Sequence, residues 1–230
     1  MVKFSNFEKK IKIIFKDKNL LKQAFTHRSY INENPSVGLL HNERLEFLGD
    51  AVLELVVTEY LYNSFKDPEG VLTNWRSALV RTESISAAAT RFDFGPLLRL
   101  SRGEKRGTER ARSQILANAY EAVIGAIYLD QGYEAANDFI QKSLIITFKD
   151  ILKSGSWMDP KSILQELVQS QEGFTPIYKV LNEEGPDHDK TFTIAVLVNG
   201  NTKGQGIGPS KQAAQVAAAE AALKTYQREA

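Results

Sequence analysis

Four acidic residues recur at helical spacing within one strongly apolar segment of the chain. Residues 41 to 54 read HNERLEFLGDAVLE, and the acidic positions are Glu43, Glu46, Asp50 and Glu54. Spacings of three, four and four residues place their side chains on one face of a helix. Most of the other positions are apolar, so this helix is expected to be buried around much of its circumference. Carboxylates on such a helix repel one another and lose hydration, so water, arginines or a divalent cation must compensate.

The residues alone leave two interpretations of this acidic face open. Runs of charge usually mark solvated surfaces, so the face could be exposed and tied to Arg44 or to a neighbouring helix. A metal site is the alternative, because the apolar remainder leaves few faces for solvent. A second apolar segment, ILANAYEAVIGAIY at 115 to 128, carries Asn118 and Glu121 three residues apart. This pair could complete an oxygen cage for Mg²⁺, or it could be satisfied by hydrogen bonds in the core.

The composition excludes several other classes of site. The chain has 230 residues, no cysteine and three histidines, so disulfides and thiolate metal sites are excluded and a metal is expected on oxygen ligands. The formal net charge is +1 and gives no indication of nucleic acid. No apolar run approaches the roughly 20 residues that span a bilayer, and the N-terminus lacks the apolar core of a signal peptide. A cytoplasmic protein without a membrane segment is the simplest expectation.

The elements that must position these residues fall into two parts. Residues 1–150 are predicted to be all-α, because apolar residues recur at helical spacing and no strand alternation is convincing. The predicted helices are 15–30, 43–65, 73–92, 113–131 and 135–152. Residues 151–158 are predicted to form a linker, since the sequence KSGS at 153 to 156 is typical of flexible segments.

Residues 159–228 are predicted to form a small α+β domain in the order helix, three strands, helix. The predicted elements are a helix at 162–170, strands at 176–181, 192–198 and 202–207, and a helix at 210–226. Asn199 and Gly200 are typical of a two-residue hairpin turn, and Ser210 is placed as the N-cap of the last helix. Residues 159–230 carry 7 basic and 9 acidic residues, so charge alone argues against RNA binding by this part.

The segment NERLEFLGDAVL at 42 to 53 closely resembles the signature motif of the ribonuclease III family. AFTHRSY at 24 to 30, EGVLT at 69 to 73, and ILA followed by YEA within 115 to 122 match further family segments in order and spacing. The resemblance covers essentially the whole chain. It implies a catalytic and dimerisation domain of the ribonuclease III endonuclease fold at 1–150 and a double-stranded RNA-binding domain at 159–228.

The resemblance also implies the activity. Family members cleave each strand of duplex RNA with Mg²⁺, for which Mn²⁺ is expected to substitute, and leave 5′-phosphate and 3′-hydroxyl ends. Precursors of ribosomal RNA are the usual substrates, and messenger RNA processing is expected beside them. The implied partners are double-stranded RNA and a second copy of the chain, with no small-molecule cofactor and no membrane.

The family's catalytic chemistry maps onto positions of both acidic segments. Asp50 and Glu121 match catalytic residues, and Glu46, Asp50, Asn118 and Glu121 match the metal ligands. Asn118 departs from the family, which usually has aspartate there. The loss of one negative charge is expected to weaken metal binding and to raise the Mg²⁺ requirement of an active enzyme. The alternative is a double-stranded RNA-binding regulator that cleaves weakly or not at all because of Asn118.

The same resemblance implies roles for two further positions of the first segment. Glu43 matches an acidic residue at the rim of the valley where RNA lies. Phe47 matches an aromatic residue that inserts into a pocket of the partner subunit in a homodimer. On the residues alone, Phe47 could equally be an ordinary core residue.

The expected RNA contacts lie mainly in the C-terminal part. Gln165 and Glu166 fall on its first helix, His188 lies in the loop between the first two strands, and Ser210 and Lys211 begin the last helix. Gln212 stands where the family usually has a second lysine, so weaker phosphate attraction is expected. A basic loop in the first part is either solvated or an additional contact with the RNA backbone. Its residues are Arg102, Lys105, Arg106, Arg110 and Arg112.

Overall fold

A computed structural model of the chain describes residues 4–155, 157–186 and 190–229. Two compact units divide the chain, Met1–Trp157 and Met158–Ala230. The elements of the first unit are helical, and those of the second follow the order helix, three strands, helix. The predicted fold class is therefore confirmed. His188, expected to contact RNA, lies outside the described residues.

Helices of very different length make up the first unit. They are α1 (Ser5–Ile11), α2 (Lys18–Ala24), α3 (Arg28–Glu33), α4 (Glu43–Ser64), α5 (Glu69–Val80), α6 (Thr82–Arg91), α7 (Glu109–Gln131), α8 (Tyr133–Ser143) and α9 (Phe148–Ser154). The long helices α4 and α7 supply much of the buried core, including Leu53, Val57, Tyr120 and Ile124. They match the predicted helices that carry the acidic residues.

Three of the predicted helices are each divided in two, and that part of the prediction is wrong. The predicted helix 15–30 breaks between α2 and α3 because Thr26 bridges to Arg99 and its carbonyl accepts from the amide of Asn42 at 2.9 Å. The predicted helix 73–92 breaks at Arg81, which is extended at φ −68° and ψ 152°. The predicted helix 135–152 breaks at Leu144. At the second and third breaks the apolar spacing continues because the helices on both sides contribute to one core, whereas α3, after the first break, has no buried residue.

The two ends of the first unit also differ from the prediction. Helix α1 was not predicted, although Phe7 and Ile11 are buried in the same core. Helix α9 continues to Ser154 and ends at Gly155, whose φ of +66° is left-handed. The first residues of the predicted linker are therefore helical.

The second unit packs two helices on an antiparallel sheet. Its elements are α10 (Pro160–Glu172), β1 (Ile177–Glu184), β2 (Thr191–Val198), β3 (Asn201–Gly208) and α11 (Lys211–Glu229), with strand order β1-β2-β3. The core combines α10, α11 and the inward face of β2: Leu164, Val168, Ala214, Ala218, Ala222, Ile194, Val196 and Val198. The predicted hairpin turn is confirmed, because Asn199 and Gly200 have φ of 49° and 78°, as a turn of type I′ requires.

A stripe of glycines lets β3 approach α11 closely. A Cβ added at Gly206 would lie 2.2 Å from the backbone nitrogen of Ala218, and Gly204 and Gly208 meet the same helix. The alanines of α11 are therefore packing residues. Within the described ranges, no helix combines the length and the apolar character needed to cross a membrane.

Candidate active site

Two glycines bring the backbones of α4 and α7 together beneath the acidic residues. A Cβ at Gly49 would lie 1.8 Å from the carbonyl oxygen of Glu121, and a Cβ at Gly125 would lie 2.2 Å from the carbonyl oxygen of Leu45. No side chain fits at these distances, so the helices can cross this closely only with glycine at both positions. The crossing places Glu46 and Asp50 of α4 near Glu121 of α7.

Burial and mutual repulsion raise the pKa of two of these carboxylates. Burial, followed by the charges of Asp50 and Glu46, raises the pKa of Glu121 to about 8. Burial and the charges of Glu43 and Asp50 also raise the pKa of Glu46, while hydrogen bonding from the Asn118 side chain lowers it. The surroundings of the site therefore disfavour full ionisation of its carboxylates, which a bound cation would promote.

The ends of the acidic face differ from its middle. Glu43 is exposed and lies 3.6 Å from the Arg28 guanidinium and 3.7 Å from the His41 ring. Glu54 forms an ion pair with Arg76 at 3.2 Å. At these two ends the face is ion-paired, as one of the two interpretations predicted. The partners are Arg28, His41 and Arg76, and Arg44 is not among them.

The middle of the face has no such compensation. Among the described residues, Glu46, Asp50 and Glu121 form no ion pair with lysine or arginine. Glu46 and Glu121 are partly buried, and Asp50 is exposed at the mouth of the site. Uncompensated, partly buried carboxylates are the arrangement that a bound cation would stabilise.

The donor atoms suit a hard divalent cation, because every candidate ligand is an oxygen. In the part of the chain that the structure describes, no three acidic or histidine side chains already converge as ligands of one ion. The residues therefore fit a divalent cation by their charge and by the type of ligand atom. Their side chains would have to rotate to bind the cation together. Asn118 is partly buried beside Glu46, and its Oδ1 accepts a hydrogen bond from Gln114 Nε2 at 2.7 Å. Gln114 was not predicted as a site residue; its spacing of four residues from Asn118 was the available signal.

An exposed apolar stripe runs along α4 next to the acidic face. Phe47, Leu55 and Tyr62 are 83%, 57% and 72% exposed, and their spacing places them on one side of the helix. The interpretation of Phe47 as a core residue is therefore wrong. Phe47 lines a pocket of about 720 Å³, in which five of the ten lining residues are leucines. They are Leu20, Leu40, Leu45, Leu48 and Leu129.

The expected RNA-contacting residues of the second unit are on its surface where they are described. Gln165 and Glu166 are exposed on α10. The Ser210 hydroxyl accepts from the amide of Ala213 at 3.1 Å, which confirms Ser210 as the N-cap of α11. Lys211 forms an ion pair with Glu183 of β1 at 2.7 Å. Sequence reasoning did not find this pair, because it joins residues distant in the chain.

Only part of the basic loop is a loop: Arg102, Lys105 and Arg106 precede α7, whereas Arg110 and Arg112 lie in the first turn of α7, so their prediction as loop residues is wrong. Its arginines and lysine are exposed, and no ion pair within the described residues involves them. The backbone amide of Arg102 donates to the Glu33 carboxylate at 3.2 and 3.1 Å, and Arg112 Nη2 donates to the carbonyl of Lys105 at 3.4 Å. Thr108 caps α7 by accepting from the amide of Ala111 at 3.3 Å. The loop is thus tied to the helix that carries Asn118 and Glu121.

Comparison with known proteins matches both units. A family model described as Ribonuclease-III-like matches residues 17–148, and a model of the double-stranded RNA binding motif matches residues 160–226. Ribonuclease 3 of Desulforamulus reducens is 46% identical over 206 residues, which cover 89% of this chain and 84% of that protein. Ribonuclease 3 of Enterococcus faecalis is 46% identical over 214 residues, covering 93% of each chain.

A solved structure is similar to the first unit. The nuclease domain of ribonuclease III from Campylobacter jejuni, described as flexible in a region involved in dimer formation, has a TM-score of 0.58 and 40% identity. The match covers 64% of this chain and 99% of that domain.

Proposed function

The chain belongs to the ribonuclease III family and is an endoribonuclease for double-stranded RNA, and we propose that the carboxylates Glu46, Asp50 and Glu121 form its catalytic centre. The observation that carries this proposal is their juxtaposition on α4 and α7 without a lysine or arginine partner among the described residues. The family model that matches the first unit includes all three positions.

These carboxylates would hold Mg²⁺, with Mn²⁺ as a substitute. Bound there, a divalent cation supplies Lewis-acid chemistry: it lowers the pKa of a coordinated water and neutralises charge on the scissile phosphate. Glu46 and Glu121, the more buried pair, would be the principal ligands, and the more exposed Asp50 would orient the attacking water. Asn118 would offer its side-chain oxygen as a further ligand, without the negative charge that an aspartate would bring. The expected products carry 5′-phosphate and 3′-hydroxyl ends.

The second copy required for cutting both strands would dock on the exposed apolar stripe of α4. Phe47 is the anchor of this proposed homodimer, because an aromatic residue that is 83% exposed is costly to leave in water. The acidic face adjoins the stripe on the same helix. A dimer formed there would therefore hold the two catalytic centres near its interface, one for each strand.

RNA would be held by both units of the chain. Gln165, Glu166, His188, Ser210 and Lys211 are the proposed contacts in the second unit, which would read the shape of the A-form duplex through 2′-hydroxyls and phosphates. Glu43 would lie at the rim of the catalytic valley, and the basic loop would contact the backbone near the scissile phosphate. Base-paired segments of ribosomal RNA precursors and messenger RNAs are the proposed substrates.

Incubation of the full chain with long duplex RNA and Mg²⁺ tests this function. Cleavage to short duplexes with 5′-phosphates is expected, and Glu121→Gln should abolish it while leaving RNA binding intact. Glu54→Gln is the matched control, because Glu54 lies on the same helical face but is already paired with Arg76. Binding without Mg²⁺-dependent shortening by the unaltered chain would favour the alternative of a regulator that binds duplex RNA.

A further inference from the structure

Two side chains of α3 hold the backbone at the start of the basic loop. The Ser29 hydroxyl accepts from the amide of Ser101 at 3.1 Å, and the Glu33 carboxylate accepts from the amide of Arg102 at 3.2 and 3.1 Å. Ser29 and Glu33 are four residues apart and therefore share one face of α3. Ser29 is itself fixed, because its hydroxyl lies 2.8 Å and its amide 3.3 Å from His27 Nδ1, the ring nitrogen that caps the helix.

The hydrogen bonds continue from Ser101 into the turn that carries two cations of the basic loop. The Ser101 hydroxyl accepts from the amide of Glu104 at 3.1 Å, and its carbonyl accepts from the amide of Lys105 at 3.2 Å. Residues Glu104–Arg106 form a turn of 3₁₀ helix, and Ser101 is buried beneath it. The position of Lys105 and Arg106 is therefore linked through Ser101 to α3.

Glu33 binds the backbone of the basic loop and not its cationic side chains. Arg102, Lys105 and Arg106 are exposed, and no ion pair within the described residues involves them or Glu33. A carboxylate next to a guanidinium can pair with it through two hydrogen bonds, but the Glu33 carboxylate binds the amide of Arg102 instead. The three cationic side chains are therefore available to an anionic partner such as the phosphates of a duplex.

We propose that Glu33 and Ser29 are positioning residues for RNA, which hold the basic loop in one conformation for contact with the phosphates of the duplex. Arg102, Lys105 and Arg106 would then meet the RNA backbone as a preformed group. A loop that is already ordered loses less conformational entropy on binding than a flexible loop does. This role rests on the contact between the basic loop and RNA in the proposed function, and it does not depend on the metal site.

The charge of Glu33 makes the proposal specific. Removal of a negative charge beside three cations should by itself strengthen the binding of phosphate. Glu33→Gln removes the charge and keeps an oxygen that can accept from the amide of Arg102, whereas Glu33→Ala removes both. An effect of charge alone predicts the same gain of affinity in the two variants. Positioning predicts that Glu33→Ala binds RNA more weakly than Glu33→Gln.

Binding of the full chain to duplex RNA in a chelator, measured by electrophoretic mobility shift at several salt concentrations, tests this difference. Glu33→Ala should bind about three- to fivefold more weakly than Glu33→Gln, as expected for the loss of one hydrogen bond. Its affinity should also depend less steeply on salt, because fewer phosphates are contacted. Ser29→Ala, which keeps every charge, should weaken binding by a similar factor relative to the unaltered chain.

Two controls separate this role from a structural one. Glu33 is exposed at the end of α3, so the thermal unfolding midpoints of Glu33→Ala and Glu33→Gln should agree. In a triple-alanine chain, with Arg102, Lys105 and Arg106 all replaced, the two Glu33 variants should bind RNA equally well, because the loop then has no cations to position.

Each other outcome overturns the proposal. Equal affinity of Glu33→Ala and Glu33→Gln would mean that Glu33 acts only through its charge, and a difference that persists in the triple-alanine chain would mean that it acts away from the basic loop. Unchanged binding by Ser29→Ala would contradict a loop that is held by both side chains. A triple-alanine chain that binds as tightly as the unaltered chain would remove the contact of the loop with RNA and this role together. Cleavage in Mg²⁺ and its loss in Glu121→Gln are scored separately, so failure of the catalytic centre is distinguishable from failure of the positioning role.

Discussion

The backbone carbonyl oxygen of Glu121 lies so close to Gly49 that a methyl group on Gly49 would be 1.8 Å from it. The contact is nearly reciprocal, because a methyl on Gly125 would be 2.2 Å from the carbonyl oxygen of Leu45. The separation of the proposed catalytic carboxylates is thus set by backbone packing between two long helices, before any metal binds.

Substitution of Gly49 by alanine should damage both stability and activity. The added methyl must push α4 away from α7, and overpacking of this kind costs about 1–3 kcal/mol or more. Unfolding in urea measures the first effect, and cleavage of duplex RNA measures the second. Gly70→Ala is the control, because Gly70 lies in helix α5 with nothing within 4 Å of the added Cβ. Equal stability of the two variants would contradict this account of the crossing.

The two helices that cross at Gly49 and Gly125 could be predicted from the sequence. The apolar spacing of α4 and α7 and the carboxylates on them were identified from their periodicity and from the family resemblance. The close contact at Gly49 could not be predicted, because a glycine within a helix does not reveal which backbone approaches it. The helix break at Arg81 was missed for a related reason: apolar spacing continues wherever successive helices share one core.

The contacts that the sequence did not predict join residues distant in the chain or depend on the orientation of a side chain. Lys211 was expected to face RNA phosphate, but its pairing with Glu183 depends on how β1 lies beside the start of α11. Gln114 drew no attention because an exposed glutamine at the start of a helix has no chemical signature of its own. Its hydrogen bond to Asn118 Oδ1, at 2.7 Å, is visible only in the structure.

The raised pKa of Glu121 predicts how stability depends on pH without metal. Its pKa is about 8 in the folded chain against an ordinary 4.5, so between these values the folded state holds a proton that the unfolded chain has released. The free energy of unfolding should therefore fall as pH rises through this window, by at most about 1.4 kcal/mol per pH unit. Urea unfolding in a chelator, followed by tryptophan fluorescence, measures it, because both tryptophans, Trp75 and Trp157, belong to the first unit.

Glu121→Gln provides the control for this pH dependence, because it removes the titrating group while keeping the shape of the side chain. The variant should be less sensitive to pH between 5 and 8 than the unaltered chain. Added Mg²⁺ should stabilise the unaltered chain most at the upper end of that range, where Glu121 begins to ionise. An unchanged slope in Glu121→Gln would assign the pH dependence to other groups.

Removal of the Glu183 carboxylate should strengthen RNA binding. The Glu183–Lys211 pair, at 2.7 Å, competes with RNA phosphate for the same ammonium group. An exposed ion pair is worth at most about 1 kcal/mol, so Glu183→Gln should tighten binding of duplex RNA by up to about fivefold and steepen its salt dependence by about one phosphate contact. Electrophoretic mobility shift at several salt concentrations measures both. Glu220→Gln makes the same charge change on the exposed side of α11 and should have a smaller effect, as should Glu183→Gln in a Lys211→Met background.

Truncation of Phe47 should weaken association of the chain with itself. An aromatic anchor buried at the centre of an interface typically contributes 2 kcal/mol or more, so Phe47→Ala should raise the dimer dissociation constant by about 30-fold or more. Sedimentation velocity across a range of concentrations measures this shift. Ile146→Ala is the control, because Ile146 is 69% exposed but lies outside the apolar stripe of α4. A chain that is monomeric and fully active, or a Phe47→Ala variant that dimerises normally, would rule out the stripe as the docking surface.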